Sequence, residues 1–363
     1  MATANELLSG ESIQNAALPA KRSLTAHPTS SLAFDGVMVA LALWFMGGVF
    51  LDGSAHAHHA VDSFFTPWHA ILYSGFMVNA IAIFGVTLRN INKGYSRWLA
   101  IPAGYELSFV GALIFGVAGV LDLIWHTVLG IEVSFEALLS PPHLLLALGM
   151  FLIVGGPFRA AWRRTTLNAG TALAKNLAWL PMLLSLTFML CSLTFFTFPA
   201  HPFIYVWVNA ANRSLGDRTV TLALPAILLQ AGILMGCLLL AIRRWKLPFG
   251  SVTLVLALNT AALSVISSNW QFMPIAVISG LLADAAITLF DPSPKKLTAL
   301  RAFAFGLPTV LYLLYFAQIA VTGGLAWRVP LWGGAAALAG VAGLLLSYLM
   351  VPSPASLIIP VDR

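Results

Sequence analysis

Charge is scarce in this sequence: 9% of its 363 residues are Asp, Glu, Lys or Arg, against 59% apolar. A soluble globular domain carries about 25% charge, so a water-solvated domain of this length is excluded. Cysteine is nearly absent. The two present, Cys191 and Cys237, fall in long apolar stretches, which excludes a disulfide framework and a thiolate metal site of the CxxC kind. Acidic residues are few as well, 13 against 19 Lys and Arg, for a net charge of +6. On a soluble protein that excess of bases would suggest nucleic acid. In so apolar a chain it reports membrane orientation instead, and no nucleic-acid partner is expected. The segment from Met1 to Ala26 lacks the basic-then-apolar pattern of a signal peptide, and residues 1–32 are expected to form a polar cytoplasmic tail.

Apolar runs, by contrast, are abundant. A helix needs about 20 predominantly apolar residues to cross the hydrocarbon core, and ten stretches qualify: 33–51, 64–88, 98–125, 141–158, 174–199, 219–242, 249–268, 272–290, 299–322 and 329–350. The bases test this count, because short cytoplasmic loops concentrate Lys and Arg. With the N-terminus inside, 16 of the 19 bases fall on the cytoplasmic side, and only Arg213, Arg218 and Arg328 stay outside. One span too many or too few would scramble that alternation. The expected fold is therefore all-α, a polytopic membrane protein of ten helices with both termini cytoplasmic and a C-terminal tail over 351–363. Glycines at 104, 111, 116 and 119 on span 3, and at 333, 334, 340 and 343 on span 10, are expected to let helices pack closely in lipid.

The polar residues are unevenly placed against this topology. All histidines but His27 fall at outer ends of spans or in outer loops: His56, His58, His59, His69, His126, His143 and His201. Asp52, Asp62, Asp122, Glu132, Glu136 and Asp217 join them. Ionisable groups near the membrane interior are costly and mark function by default. Two segments hold most of them, and the segments resemble each other. Each opens with Asp-x-x-x-His, Asp52/His56 and Asp122/His126, at the outer end of an odd-numbered span. Residues four apart share a helix face. Each segment then restarts a helix, at Thr66-Pro67-Trp68-His69 and at Ser140-Pro141-Pro142-His143, where Thr or Ser suits the N-cap and Pro the first helical position. A glycine follows each of these histidines at the same distance, Gly75 and Gly149.

The simplest account is a duplicated helical hairpin, spans 1–2 and 3–4, related by an axis along the membrane normal. It makes 33–158 a metal-binding four-helix unit and leaves 159–350 as a six-helix region without an assigned role. Each repeat offers one carboxylate and two imidazoles: Asp52, His56 and His69, then Asp122, His126 and His143. Such a set suits copper, zinc or non-haem iron. His58 and His59 are candidate extra ligands, and Asp62, Glu132 and Glu136 candidate outer partners, Asp62 and Glu136 for proton transfer. His27 and His201, and Glu106 and Asp284 inside spans 3 and 8, are expected to be structural.

At these residues the chain resembles a known family. Asp52-x-x-x-His56, Asp62, then Phe65-Thr66-Pro67-x-His69 with an aromatic at Tyr73 is similar to the copper site in the C subunit of particulate methane and ammonia monooxygenases. The second segment, with Asp122, His126-Thr127, Glu136-x-Leu138 and Pro141-Pro142-His143, resembles that subunit's other metal site. Here Asp122 stands where the family has Asn, and the interval from His126 to His143 is longer. The likeness spans about residues 33–157; spans 5–10 show none, and no cupredoxin-like region is present. The resemblance implies copper, oxidation of a small apolar substrate with dioxygen and an external reductant, and partners in the form of further membrane and cupredoxin-like periplasmic subunits. It also implies a bacterial plasma membrane with the metal sites on the outer side. Phe64, Phe65, Trp68, Trp125 and Phe135 suit either a dry pocket wall or an interfacial aromatic belt. The competing reading is an outward-facing metal transporter or delivery protein, for which spans 5–10 supply few polar groups, chiefly Asn259, Asp284 and Gln318.

Overall fold

The structure is a computed structural model that describes residues 26–58, 66–130, 136–164 and 178–352. Within them the chain is helical: α1 (Leu32–Ala57), α2 (Pro67–Asn92), α3 (Glu106–Leu129), α4 (Pro141–Val154), α5 (Gly156–Arg163), α6 (Leu180–Phe196), α7 (Arg218–Ile242), α8 (Ser251–Ser267), α9 (Met273–Phe290), α10 (Leu297–Thr322) and α11 (Val329–Met350). A single helical turn, Glu136–Leu139, precedes α4. Seven helical units are long and apolar enough to cross a bilayer: α1, α2, α3, α7, α9 with its preceding turn, α10 and α11. The pair α4–α5 passes the same test as one span bent by 41°. α6 and α8 are apolar but shorter, at 17 residues each, or about 26 Å at 1.5 Å per residue. Within the described residues, each expected stretch overlaps one of these helices. Seven or eight of them meet the length and apolarity of a span, so the chain is a polytopic helical membrane protein. Most of the expected terminal tails lies outside the described residues.

Local chemistry explains the helix starts. Ser31, Thr66 and Ser140 are N-caps whose hydroxyls accept backbone N–H groups of Phe34, His69 and His143, and Pro67 and Pro141 take the first helical positions, as expected. Two boundaries differ from the sequence reading. Span 3 begins at Glu106 rather than near 98, because Pro102 has no N–H to donate and Gly104 turns the chain at φ +93°. A Cβ at Gly104 would fall 2.4 Å from the Ala160 nitrogen, so this turn seats directly on α5. Span 4 breaks at Gly155, where the ring of Pro157 conflicts with the carbonyl four residues earlier.

α1 pairs with α2 and α3 with α4, while α10–α11 and α8–α9 form further close pairs. The expected repeat reappears as packing. Gly75 lets α2 cross α1 at Phe45, where a Cβ would come 2.6 Å from the Phe45 Cα. Gly149 lets α4 cross α3 at Gly111 and Phe115, with a Cβ 2.9 Å from the Gly111 carbonyl. Gly340 and Gly343 likewise face α10, but Gly333 and Gly334 meet nothing within 4 Å, so half of the glycine face expected on the last span is not a packing face. α6 is buried on nearly all sides against α1, α4, α5, α7 and α8, joining both halves in one apolar core. At the end of α1 remote from Asp52, Asp35 accepts from Tyr105 at 2.8 Å and pairs with Arg164. This ties α1 to the foot of α3 and the end of α5.

Candidate metal centres

α1 remains helical through Asp52 and His56, so the two side chains lie on one face, with Asp52 Oδ1 3.6 Å from His56 Nε2. The cap at Thr66 starts α2 so that His69 enters in its first turn, and His69 Nε2 stands 3.0 Å from the same Oδ1. The second hairpin repeats this arrangement. Asp122 Oδ1 lies 3.4 Å from His126 Nε2 and 3.4 Å from His143 Nδ1. In each triad the three candidate ligand atoms lie within 4.8 Å of one another. Ligands held at about 2.0–2.1 Å around a tetrahedral cation sit ~3.3 Å apart, and the carboxylate-to-imidazole distances, 3.0–3.6 Å, bracket that value.

Neither carboxylate is otherwise satisfied at that oxygen. Asp52 Oδ1 and Asp122 Oδ1 are buried and accept no hydrogen bond, although imidazole nitrogens face both. Among the described residues, no Lys or Arg pairs with either. A buried carboxylate oxygen that faces imidazoles has a donor there only when one of them carries its proton on the facing nitrogen, and without a donor or cation it is costly. A cation held between it and the two imidazoles would remove that cost, so these donor atoms fit a metal ion.

The triads meet through Tyr73. Its hydroxyl donates to Asp122 Oδ2 at 3.4 Å, and its ring lies beside His69, centroids 6.5 Å apart. Both centres therefore sit at one end of the bundle, and Tyr73 of the first hairpin touches the carboxylate of the second. The i,i+4 spacing from His69 to Tyr73 was visible in the sequence; the contact across 49 residues was not. His126 is oriented from behind, with Nδ1 3.4 Å from the Gly130 carbonyl. His143 Nδ1 lies 2.7 Å from the Ser140 hydroxyl, so Ser140 is a partner of the triad as well as a cap.

An apolar cleft of about 630 Å³ opens between α2 and α3, walled by Phe76, Met77, Phe115 and Val120 and reaching Tyr73 and His69. The other expected residues lie elsewhere or outside description. His58 joins neither triad; its Nδ1 is 2.7 Å from the Ser54 carbonyl. His59, Asp62, Glu132, Phe64, Phe65 and Phe135 fall outside the described residues, as does the side chain of Glu136. The residues read as structural all make protein contacts. His201 is buried and its Nδ1 accepts the Phe203 N–H at 3.1 Å; burial pushes its pKa down to about 3. Glu106 accepts from the Gly104 N–H and pairs with Arg163 and His27. Asp284 caps α8, accepting from the Val252 and Thr253 N–H groups and the Thr253 hydroxyl. Compared with known proteins, the chain matches no family model, no curated sequence and no solved structure.

Proposed function

We propose that the two triads are copper centres and that the protein is a copper-dependent membrane monooxygenase, or its metal-binding subunit, oxidising a small apolar substrate with dioxygen. The observation that carries this reading is the twice-built triad, in which a buried carboxylate oxygen without a hydrogen bond faces two imidazole nitrogens at 3.0–3.6 Å. Donor chemistry alone also suits zinc or non-haem iron; the resemblance of these motifs to the copper monooxygenase C subunit favours copper. Copper would supply the redox chemistry with dioxygen and an external reductant. Asp52, His56 and His69, and Asp122, His126 and His143, would hold it, and the apolar walls of α2 and α3 would keep water from the first triad.

In this reading ten spans cross the bacterial plasma membrane, both termini are cytoplasmic and the triads face outward, towards further membrane and cupredoxin-like subunits. The sorting of bases to one side supports it. A transporter would need polar groups free to meet a cation along the membrane. Asn259 instead accepts from Thr194 at 2.7 Å, and Asp284 is engaged as a cap, which weighs against transport.

The test is metal analysis with paramagnetic resonance on purified membranes. A Cu(II) signal with nitrogen hyperfine lines, diminished in His69→Ala and in His126→Ala and abolished in the double variant, is expected. Wild-type protein without metal, or variants of equal stability that keep all of it, would overturn the reading.

A further inference from the structure

We propose that the cleft between α2 and α3 binds the apolar substrate directly from the bilayer and presents it to the first triad, not the second. This rests on the function proposed above. It adds the route and the centre that receives it.

The cleft has the composition of a hydrocarbon site. None of its lining residues is charged, and the polar ones, Thr66, His69 and Tyr73, gather at the end where α2 begins. A charged or strongly hydrogen-bonding molecule would lose its water without replacement along the remaining wall. Its volume, about 630 Å³, lies in the range of small-molecule sites. The lips are open to the side: Met77 is 53% and Val120 59% exposed, on helices that carry lipid-facing surface. The inner end is the imidazole of His69, which is also a member of the first triad. Asp122, His126 and His143 do not line it.

Glycine makes the width. Gly116 and Gly119 line the α3 side. A Cβ at 119 would come within 3.0 Å of Tyr73 Cε1, whereas one at 116 would sit 3.7 Å from Phe76 Cζ. A larger residue at 116 therefore fills the cleft without forcing the helices apart. On the other face of α3, by contrast, Gly111 and Gly149 let α4 press close, so the second hairpin has its own small residues closed by backbone. The occupant that fits is an uncharged, apolar molecule.

The test uses full-length protein in phosphatidylcholine nanodiscs with a short alkyl diazirine, adducts being mapped by mass spectrometry. Labelling at Tyr73, Met77 and Val120 is expected. It should be competed by excess short alkane and lost in Gly116→Leu and, independently, in Val120→Phe, with helix content and metal content unchanged. Adducts spread over all lipid-facing helices without competition would overturn the site. So would labelling of the same residues by an acyl-chain diazirine lipid that alkane does not displace, since the cleft would then hold lipid. On copper-loaded protein, short alkane should perturb the resonance signal of His126→Ala, which keeps the first centre, and leave that of His69→Ala unchanged. The reverse pattern, or equal effects, would overturn the assignment to the first triad. Protein that binds no copper but keeps the competed labelling would defeat the function proposed above while upholding the cleft.

Discussion

The two hairpins carry the same residues in the same order, yet their triads differ in three respects. The carboxylate and the i+4 histidine of the first are the more open: Asp52 and His56 are 16% and 39% exposed at their side chains, against 7% and 13% for Asp122 and His126, while His143, at 24%, is more open than His69, at 16%. In the first, both imidazoles face the carboxylate through Nε2; in the second, His143 does so through Nδ1. That nitrogen also lies 2.7 Å from the Ser140 hydroxyl, and one lone pair cannot serve both a hydroxyl donor and a cation. The Thr66 hydroxyl, at the equivalent position, accepts the His69 backbone N–H at 3.4 Å. If the triads hold copper as proposed, the deeper burial of Asp122 and the Ser140 hydroxyl would make the second centre the harder to load, because a dication entering a drier site loses more hydration. Tyr73 adds a one-way link, from the first hairpin to the second carboxylate.

The largest effects test whether the hairpins are equivalent as packing units. Gly75→Leu and Gly149→Leu each drive a side chain into a facing helix and should destabilise by ~3 kcal/mol or more, read as thermal unfolding in detergent. Gly85→Leu, which meets nothing within 4 Å, should stay within about 0.5 kcal/mol. If only one of the two crossing glycines is sensitive, the repeat does not extend to packing. Next, His69→Ala and His126→Ala should each empty their own triad and spare the other, an effect exceeding the ~10–100-fold that loss of an outer partner causes. Coupled loss of both metals would mean one shared centre instead of two.

His201 sharpens the comparison by showing what a histidine does without a carboxylate. Buried and neutral, it has its pKa pushed down to about 3 from the usual 6.5. The unfolded chain therefore takes up that proton first. The contribution is fully present above about pH 6.5 and drains as pH falls towards 3, by ~1.4 kcal/mol per unit. In His201→Asn, whose amide oxygen can accept the Phe203 N–H, the fall of the unfolding free energy with pH between about 6.5 and 3 should flatten by that amount. Smaller again, at limiting copper the first triad should fill before the second. Ser140→Ala should narrow the gap by about 5-fold, the worth of one hydrogen bond of ~1 kcal/mol, while Thr66→Ala leaves it unchanged. The smallest change is expected from Tyr73→Phe, which removes a long bond and should weaken the second triad alone by about 2-fold. An equal loss at the first triad would show that Tyr73 acts on both.

Much of this was legible before the structure. Asp52/His56 and Asp122/His126 are read from helix periodicity, and Thr66 and Ser140 from cap chemistry, since both depend on contacts within four residues. The break of span 4 was legible too, in Gly155-Gly156-Pro157, but a run of apolar residues overrode it in the reading. The start of span 3 was misplaced for the same reason, apolarity outvoting Pro102 and Gly104. Which glycines pack was not legible: Gly340 and Gly333 look alike, and only the position of α10 tells them apart.

Composition and short-range pattern determined that the chain is a polytopic helical membrane protein, where its helices start and which six residues form two sets. Hydrophobic transfer and the first turn of a helix are local quantities, carried by consecutive residues. Tertiary structure alone decided that the two sets lie at one end in contact through Tyr73, that His143 turns Nδ1 rather than Nε2 to its carboxylate, and that a cleft reaches one triad and not the other. Those outcomes depend on the rotation of each helix about its axis and on where helices cross. Side chains from the whole bundle set both together, and no single segment carries the information.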